Sequence, residues 1–90
     1  ASKVVILDEP TAALGLRESR RVLDLILRLR TEGHAVVVIS HALDHVTEVA
    51  DRAVVMRRGR KVGEEIPSPD SQQRIVALIV GTSAEATSTP

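Results

Sequence analysis

Val4-Val5-Ile6-Leu7-Asp8-Glu9-Pro10 sets the reading of the whole chain: four apolar residues, stopped abruptly by two acids and a proline. An apolar run without alternation predicts a strand covered on both faces, as in a parallel sheet. Pro10 biases Glu9 toward an extended backbone, and Ala13-Leu14-Gly15 predicts a loop. From Leu16 to about Arg30 the period changes. Val22, Leu25, Ile26 and Leu29 fall at i, i+3, i+4 and i+7, one apolar stripe of a helix that Leu23 and Leu27 widen. Glu18 in its first turn and Arg28 and Arg30 in its last oppose the helix dipole, and Gly33 marks its stop. Ala35 to Ile39 repeats the character of the first strand and ends at Ser40-His41. Strand, helix, strand at this spacing predicts a βαβ unit with a right-handed crossover and parallel pairing.

Downstream, Leu43, Val46, Val49 and Ala50 line the inner side of a short helix. Ala53 to Met56 and Lys61 to Val62 flank Arg57-Arg58-Gly59-Arg60 and predict a hairpin, although Arg-Gly is a weaker turn dipeptide than Asn-Gly. Pro67-Ser68-Pro69-Asp70 reads as a linker. A last helix is expected from about Ser71 to Val80, with Ile75, Leu78 and Ile79 at helical spacing. Thr82 to Pro90 is small, polar and aperiodic, and reads as a disordered tail. The fold class is therefore α/β, a βαβ unit followed by a C-terminal β-hairpin and a final helix. The chain divides into a core at 1–66, a linker and helix at 67–81, and the tail at 82–90.

Composition narrows the partners. Lys and Arg together number 12, as do Asp and Glu, so the formal charge is zero and nothing pulls the chain toward nucleic acid. There is no aromatic residue, which removes the stacking platforms of single-stranded nucleic-acid binders. There is no cysteine, hence no disulfide framework and no thiolate metal site. The longest uninterrupted apolar run, Ala35 to Ile39, is far short of the roughly 20 residues that span a bilayer. The chain opens at Ala1 with a strand three residues later, as expected of a cut through a larger domain.

Two places can carry chemistry. Asp8-Glu9 sits at the carboxyl end of a strand, where ligands of open α/β sheets bind. A carboxylate there can hold Mg²⁺ through its waters, and a second, one residue on, can orient an attacking water. The same dipeptide can equally end a strand and start a turn. His41 lies just past the second strand; if the strands are neighbours it opens onto the same crevice, and otherwise it is a surface histidine opening a helix. His41 and His45, four residues apart, are a conceivable metal pair, but no third ligand is evident. His34 is expected in solvent, and Asp44 compensates the dipole of the short helix. The basic run Arg57, Arg58, Arg60 and Lys61 reads as a solvated edge that deters strand pairing.

These residues resemble a family. Val4-Val5-Ile6-Leu7-Asp8-Glu9-Pro10-Thr11 looks like the Walker B segment of ABC ATPases, and Ala12-Ala13-Leu14-Gly15 falls where their D-loop follows. Val36-Val37-Val38-Ile39-Ser40-His41 resembles the switch-histidine strand. Val49-Ala50-Asp51-Arg52 and Val55 to Val62 resemble the closing helix and hairpin. The resemblance covers about residues 3 to 65, in order and without gaps. Thr11-Ala12-Ala13-Leu14-Gly15, followed by Arg17-Glu18-Ser19, is similar to ATPase subunits of bacterial carbohydrate importers.

The resemblance implies a partial P-loop NTPase-like parallel sheet, and in the complete domain ATP and Mg²⁺. Asp8 would bind the metal through water and Glu9 would polarise the attacking water, while His41 would contact the γ-phosphate. Ala13, Leu14 and Gly15 would face a second ATPase domain across a dimer, and transmembrane permease subunits would receive the work. That places the parent in the cytoplasm, peripheral on the inner face of the plasma membrane. The family's D-loop usually ends in Asp; here the position is Gly15, which weakens any role resting on that carboxylate. The 90 residues contain no Gly-x-x-x-x-Gly-Lys-Ser/Thr phosphate loop, no Leu-Ser-Gly-Gly-Gln signature and no Q-loop ahead of the Walker B strand. The chain by itself is therefore expected neither to bind ATP with useful affinity nor to hydrolyse it. With its sheet uncovered it is expected to be sticky, dimeric or molten. The competing readings are a non-transport ABC ATPase acting on DNA or ribosomes, and a non-catalytic α/β module with Asp8-Glu9 as a metal or interaction site.

Overall fold

In the computed structural model of the chain, residues 3–81 are described. The tail expected at 82–90 lies outside them. Seven elements follow in order: β1 (Val4–Asp8), α1 (Leu16–Thr31), β2 (Ala35–Ile39), α2 (Leu43–Val49), β3 (Ala53–Arg57), β4 (Arg60–Glu65) and α3 (Gln72–Val80). The described residues form two compact units, one ending at Val49 and the other beginning at Ala50. The reason is local pairing: β1 bonds only β2, and β3 only β4.

In the first unit β1 and β2 pair in parallel, with Val4 opposite Ala35 and Asp8 opposite Ile39. This register brings the carboxyl ends of both strands level. Beneath them, Leu23 and Ile26 of α1 and Val49 of α2 form a buried core against Leu7, Val36 and Val38. The buried residues of α1 are Ser19, Leu23 and Ile26, with Val22 and Leu27 packed partly buried against the same core; of the expected stripe, Leu25 is the residue that is exposed. Apolar residues ring too much of this helix for periodicity alone to say which edge faces the sheet.

The strands are covered on one face only. Val4, Ile6, Val37 and Ile39 are exposed, at 71, 66, 49 and 49 %. Among the described residues the expectation of cover on both faces is thus not met: α1 lies on one side, and the alternate side chains of both strands face away from it.

In the second unit β3 and β4 form an antiparallel hairpin, with a bulge between Val55 and Met56. The turn is Arg58-Gly59, and both residues have positive φ, 53° and 77°. Two left-handed residues match the twist of a hairpin, so the pair does here what Asn-Gly commonly does. Gly59 meets that demand freely, and Arg58 adopts it at a steric cost of about 1–2 kcal/mol. Gly63 serves close packing instead, since a Cβ there would stand 2.5 Å from Leu78 Cδ1 of α3. Val55 and Ile75 are the buried apolar residues of this unit.

The segment Pro67 to Asp70 is ordered by hydrogen bonds to and from Ser71. Ser71, only 1 % exposed, donates from its hydroxyl to the Ile66 carbonyl at 2.8 Å and accepts from the Ser68 N–H at 2.9 Å. The Ser71 N–H in turn donates to Ser68 Oγ at 3.1 Å. Four serine and proline residues look unstructured in composition, yet two short hydroxyls satisfy this backbone and start α3. Ser71→Ala leaves two backbone groups without partners and is expected to destabilise the second unit by about 1–3 kcal/mol. Urea unfolding followed by circular dichroism measures this, and a loss below about 0.5 kcal/mol, ordinary for a surface change, contradicts it.

Candidate nucleotide-hydrolysis site

The site begins where the two parallel strands end. The Glu9 N–H donates to the Ile39 carbonyl at 2.7 Å, which adds one more rung to the pairing. Glu9 then turns off the sheet with φ 51°, in the left-handed region. This corrects the expectation that Pro10 keeps Glu9 extended. The preference imposed by proline is local, and here the rung to Ile39 and a side-chain bond to His41 override it. A non-glycine residue so placed costs of order 1–3 kcal/mol, and such strain gathers at functional sites.

The turn delivers the Glu9 carboxylate to His41, whose Nδ1 lies 2.7 Å from Glu9 Oε1. An ionised carboxylate can only accept, so Nδ1–H is the donor and the ring's other nitrogen, Nε2, is left for another partner. His41 is 84 % exposed and Glu9 35 %, so the pair is open to solvent and to ligands. Asp8 is the last residue of β1 and shares the uncovered face with Val4 and Ile6. Its carboxylate therefore leaves the sheet next in sequence to Glu9, on the exposed side of the strand. No group of three or more His, Cys, Asp or Glu side chains able to hold a metal occurs among the described residues.

Ala13, Leu14 and Gly15 lie in the exposed stretch between Thr11 and α1. Ala13 also has a positive φ, 63°, and Leu14 is 42 % exposed. Gly15 is the N-cap of α1 and offers no side-chain hydrogen bond to the helix. The Glu18 carboxylate folds back to 2.8 Å from where a Cβ of Gly15 would stand. An Asp at this position would meet a like charge.

His41 and His45 do not form a metal pair. α2 begins only at Leu43, so His41 precedes the helix and the i,i+4 relation does not bring the two rings to one face. His45 Nδ1 instead shares a hydrogen bond with Thr11 Oγ1 at 2.9 Å. Thr11 is 8 % exposed. Sequence reasoning passed over this pair, and its only trace was a hydroxyl placed directly after Asp8-Glu9-Pro10. His34 is not simply solvated either, because its Nδ1 accepts the Lys3 N–H at 3.1 Å.

α2 is also clamped to α1 by charge. Arg20 pairs with Asp24 at 3.0 Å and with Glu48 of α2. Its hydrogen bond holds the Glu48 carboxyl below the usual carboxylate range. A depressed carboxyl contributes stability above its unfolded pKa and loses it as pH falls through the lower folded value. The thermal midpoint is therefore expected to fall on acidification below about pH 4.3, the ordinary Glu value, and Glu48→Gln to reduce that fall. Both partners are on the surface, so the effect is small. Equal acid sensitivity in wild type and variant counts against the clamp.

A βαβ unit with an acid pair and a histidine at its strand ends, followed by a hairpin and helix, resembles part of an ATP-binding cassette in both sequence and fold. No family model matches the chain. Over 80 residues, 89 % of the chain, it is 52 % identical to the fructose import ATP-binding protein FrcA of Rhizobium meliloti. It is 44 % identical to the ribose import ATP-binding protein RbsA of Yersinia pestis, again over 89 % of the chain. The chain spans 31 % and 16 % of the lengths of those two proteins. Among solved structures it matches cbiO1 of Clostridium perfringens, part of the ABC transporter complex cbiONQ, at 27 % identity and TM-score 0.67. That match covers 93 % of this chain and 34 % of the other. An ATP-binding cassette of an ABC transporter matches in fold with TM-score 0.71 at 23 % identity, over 87 % of this chain and 31 % of its own. The relatives of this chain are thus ATP-binding proteins of ribose and fructose import, and its structural neighbours are ABC cassettes. Among the described residues no helix is long and apolar enough to cross a membrane.

Proposed function

We propose that this chain forms the water-activating and metal-bearing end of the ATP site in a transport ATPase that powers sugar import. The observation that carries the reading is the 2.7 Å bond between Glu9 and His41, residues 32 positions apart that meet at the ends of paired parallel strands. The names of the relatives support the sugar, and the resemblance to ABC transport ATPases supports a cytoplasmic location on the inner face of the plasma membrane. They also support permease subunits and a second ATPase domain as partners, the latter facing Ala13, Leu14 and Gly15. No nucleic acid partner is proposed.

The donor set fits Mg²⁺ in a particular way. One carboxylate, Asp8, offers hard oxygens, and Mg²⁺ takes only one or two protein carboxylates while keeping waters and phosphate oxygens. Bound there, the ion would neutralise phosphate charge. Glu9 has one oxygen engaged by His41 and a second able to accept a proton from water. For His41 to donate to a phosphate oxygen from Nε2 while Nδ1 serves Glu9, the ring must carry both protons. The imidazolium is then an added positive charge beside the polyanion. The residues do not fit the other half of the task, because these 90 residues contain no phosphate loop to cradle the triphosphate.

A paired titration tests this. The purified 90-residue chain is expected to show no useful affinity for ATP, with or without Mg²⁺, and no turnover. Turnover by a sample free of contaminating ATPase overturns that expectation. Firm Mg²⁺ binding indifferent to nucleotide points instead to a metal-binding module.

A further inference from the structure

We infer that His45 is a positioning residue, which anchors the loop after β1 through Thr11 and so fixes the carboxylate of Glu9 against His41. The loop needs an anchor. Between Glu9 and Leu14 it makes two reverse turns, with the Ala12 N–H donating to the Glu9 carbonyl and the Leu14 N–H to the Thr11 carbonyl, both at 3.2 Å. Two of its non-glycine residues, Glu9 and Ala13, hold positive φ, a conformation that surrounding structure must impose.

Thr11 lies between them and is the buried residue of the loop. Its hydroxyl meets His45 Nδ1 at 2.9 Å, beside a small pocket whose lining includes Leu23, Ile26, Val38 and Val49. Thr11 as a residue is 8 % exposed among such neighbours, so losing His45 Nδ1 leaves a part-buried hydroxyl without this partner.

His45 is itself held. α2 is tied to α1 by the Arg20–Glu48 pair, and Val49 sits in the core. The Ser40 hydroxyl, between β2 and α2, accepts the Ala42 N–H at 3.0 Å and orders the same segment. The loop after β1 is therefore joined to the segment 40–49 at two points, Glu9 to His41 and Thr11 to His45. The first of these joints is exposed and weak alone; the second is sheltered and sets where the first can form.

The test uses the protein as its host makes it. In Thr11→Val and His45→Phe, which keep volume but lose the bond, amide exchange of Ala12 and Leu14 is expected to quicken about five- to thirtyfold, as for an opening made one or two kcal/mol easier. The ¹⁵N signal of His41 Nδ1 is expected to move toward that of a free imidazole. Amides of β2 should be unchanged. Thr11→Ser, and His45→Asn with an amide near the Nδ1 position, should restore both readings. Unchanged exchange at Ala12 and Leu14 in His45→Phe overturns the inference. So does equal acceleration throughout β1 and β2, because His45 would then be only a stabilising residue. The consequence for turnover rests on the hydrolytic reading above, and there His45→Phe should lower kcat with KM for ATP little changed. If Glu9→Gln keeps full turnover while the exchange results hold, the hydrolytic reading fails and the anchor stands.

Discussion

On the proposed hydrolytic role, Glu9→Gln is expected to lower ATP turnover of the host protein by roughly 10²–10⁴, the range in which a positioned general base acts. The substitution separates two things that the carboxylate does. A glutamine carbonyl still accepts from His41 Nδ1–H, so the 2.7 Å bond and the turn it closes can survive. Proton-accepting power is what disappears. KM for ATP should therefore change little, and the folded state should keep its melting temperature or gain slightly at the strained position. The measurement is steady-state hydrolysis at saturating Mg²⁺ and ATP, with nucleotide binding checked separately. A variant within tenfold of wild type would mean that Glu9 is not the group that activates the water, and the hydrolytic reading built on it would fail. A variant that loses binding along with turnover would mean that Glu9 holds the loop's shape and not the water.

The parts of this site legible in the sequence are those set by strand ends. Two apolar runs, each closed by polar residues, imply level strands once they pair in parallel, and the Val4–Ala35 register makes the distance from Asp8-Glu9 to His41 short. What stayed hidden depended on side chains choosing partners far along the chain. Proline next to Glu9 argued for extension, and only the bond to Ile39 and the pull of His41 explain φ 51°. On α1 the period already places Ile26 and Leu23 on the buried side, and it fails at Leu25, which satisfies the helical spacing equally well yet faces outward. Thr11–His45 and Ser68–Ser71 left almost no trace, since short hydroxyls in turns are common and their burial is decided by the fold around them.

The uncovered face of β1 and β2 leads to the second large effect. Ile26 is 2 % exposed at the centre of the first unit, and Ile26→Ala is expected to cost about 2–5 kcal/mol, much of a domain's whole stability. Val37 lies on the opposite side of the sheet at 49 % exposure, and in the 90-residue chain Val37→Thr should fall within about ±0.5 kcal/mol. In the protein as its host makes it the same Val37→Thr discriminates. If further structure lies on that face, a hydroxyl is buried without a partner and the cost rises to about 1–3 kcal/mol. Parallel sheets are ordinarily covered on both sides, so the larger value is expected there. Ile26→Ala, by contrast, should cost the same in both settings, because its neighbours Leu7, Val36 and Val38 belong to this chain. Denaturant unfolding of both variants in both settings measures the four values. A Val37→Thr cost that stays near zero in the host protein would mean that this face meets only water, and with it the analogy to a complete cassette would fail.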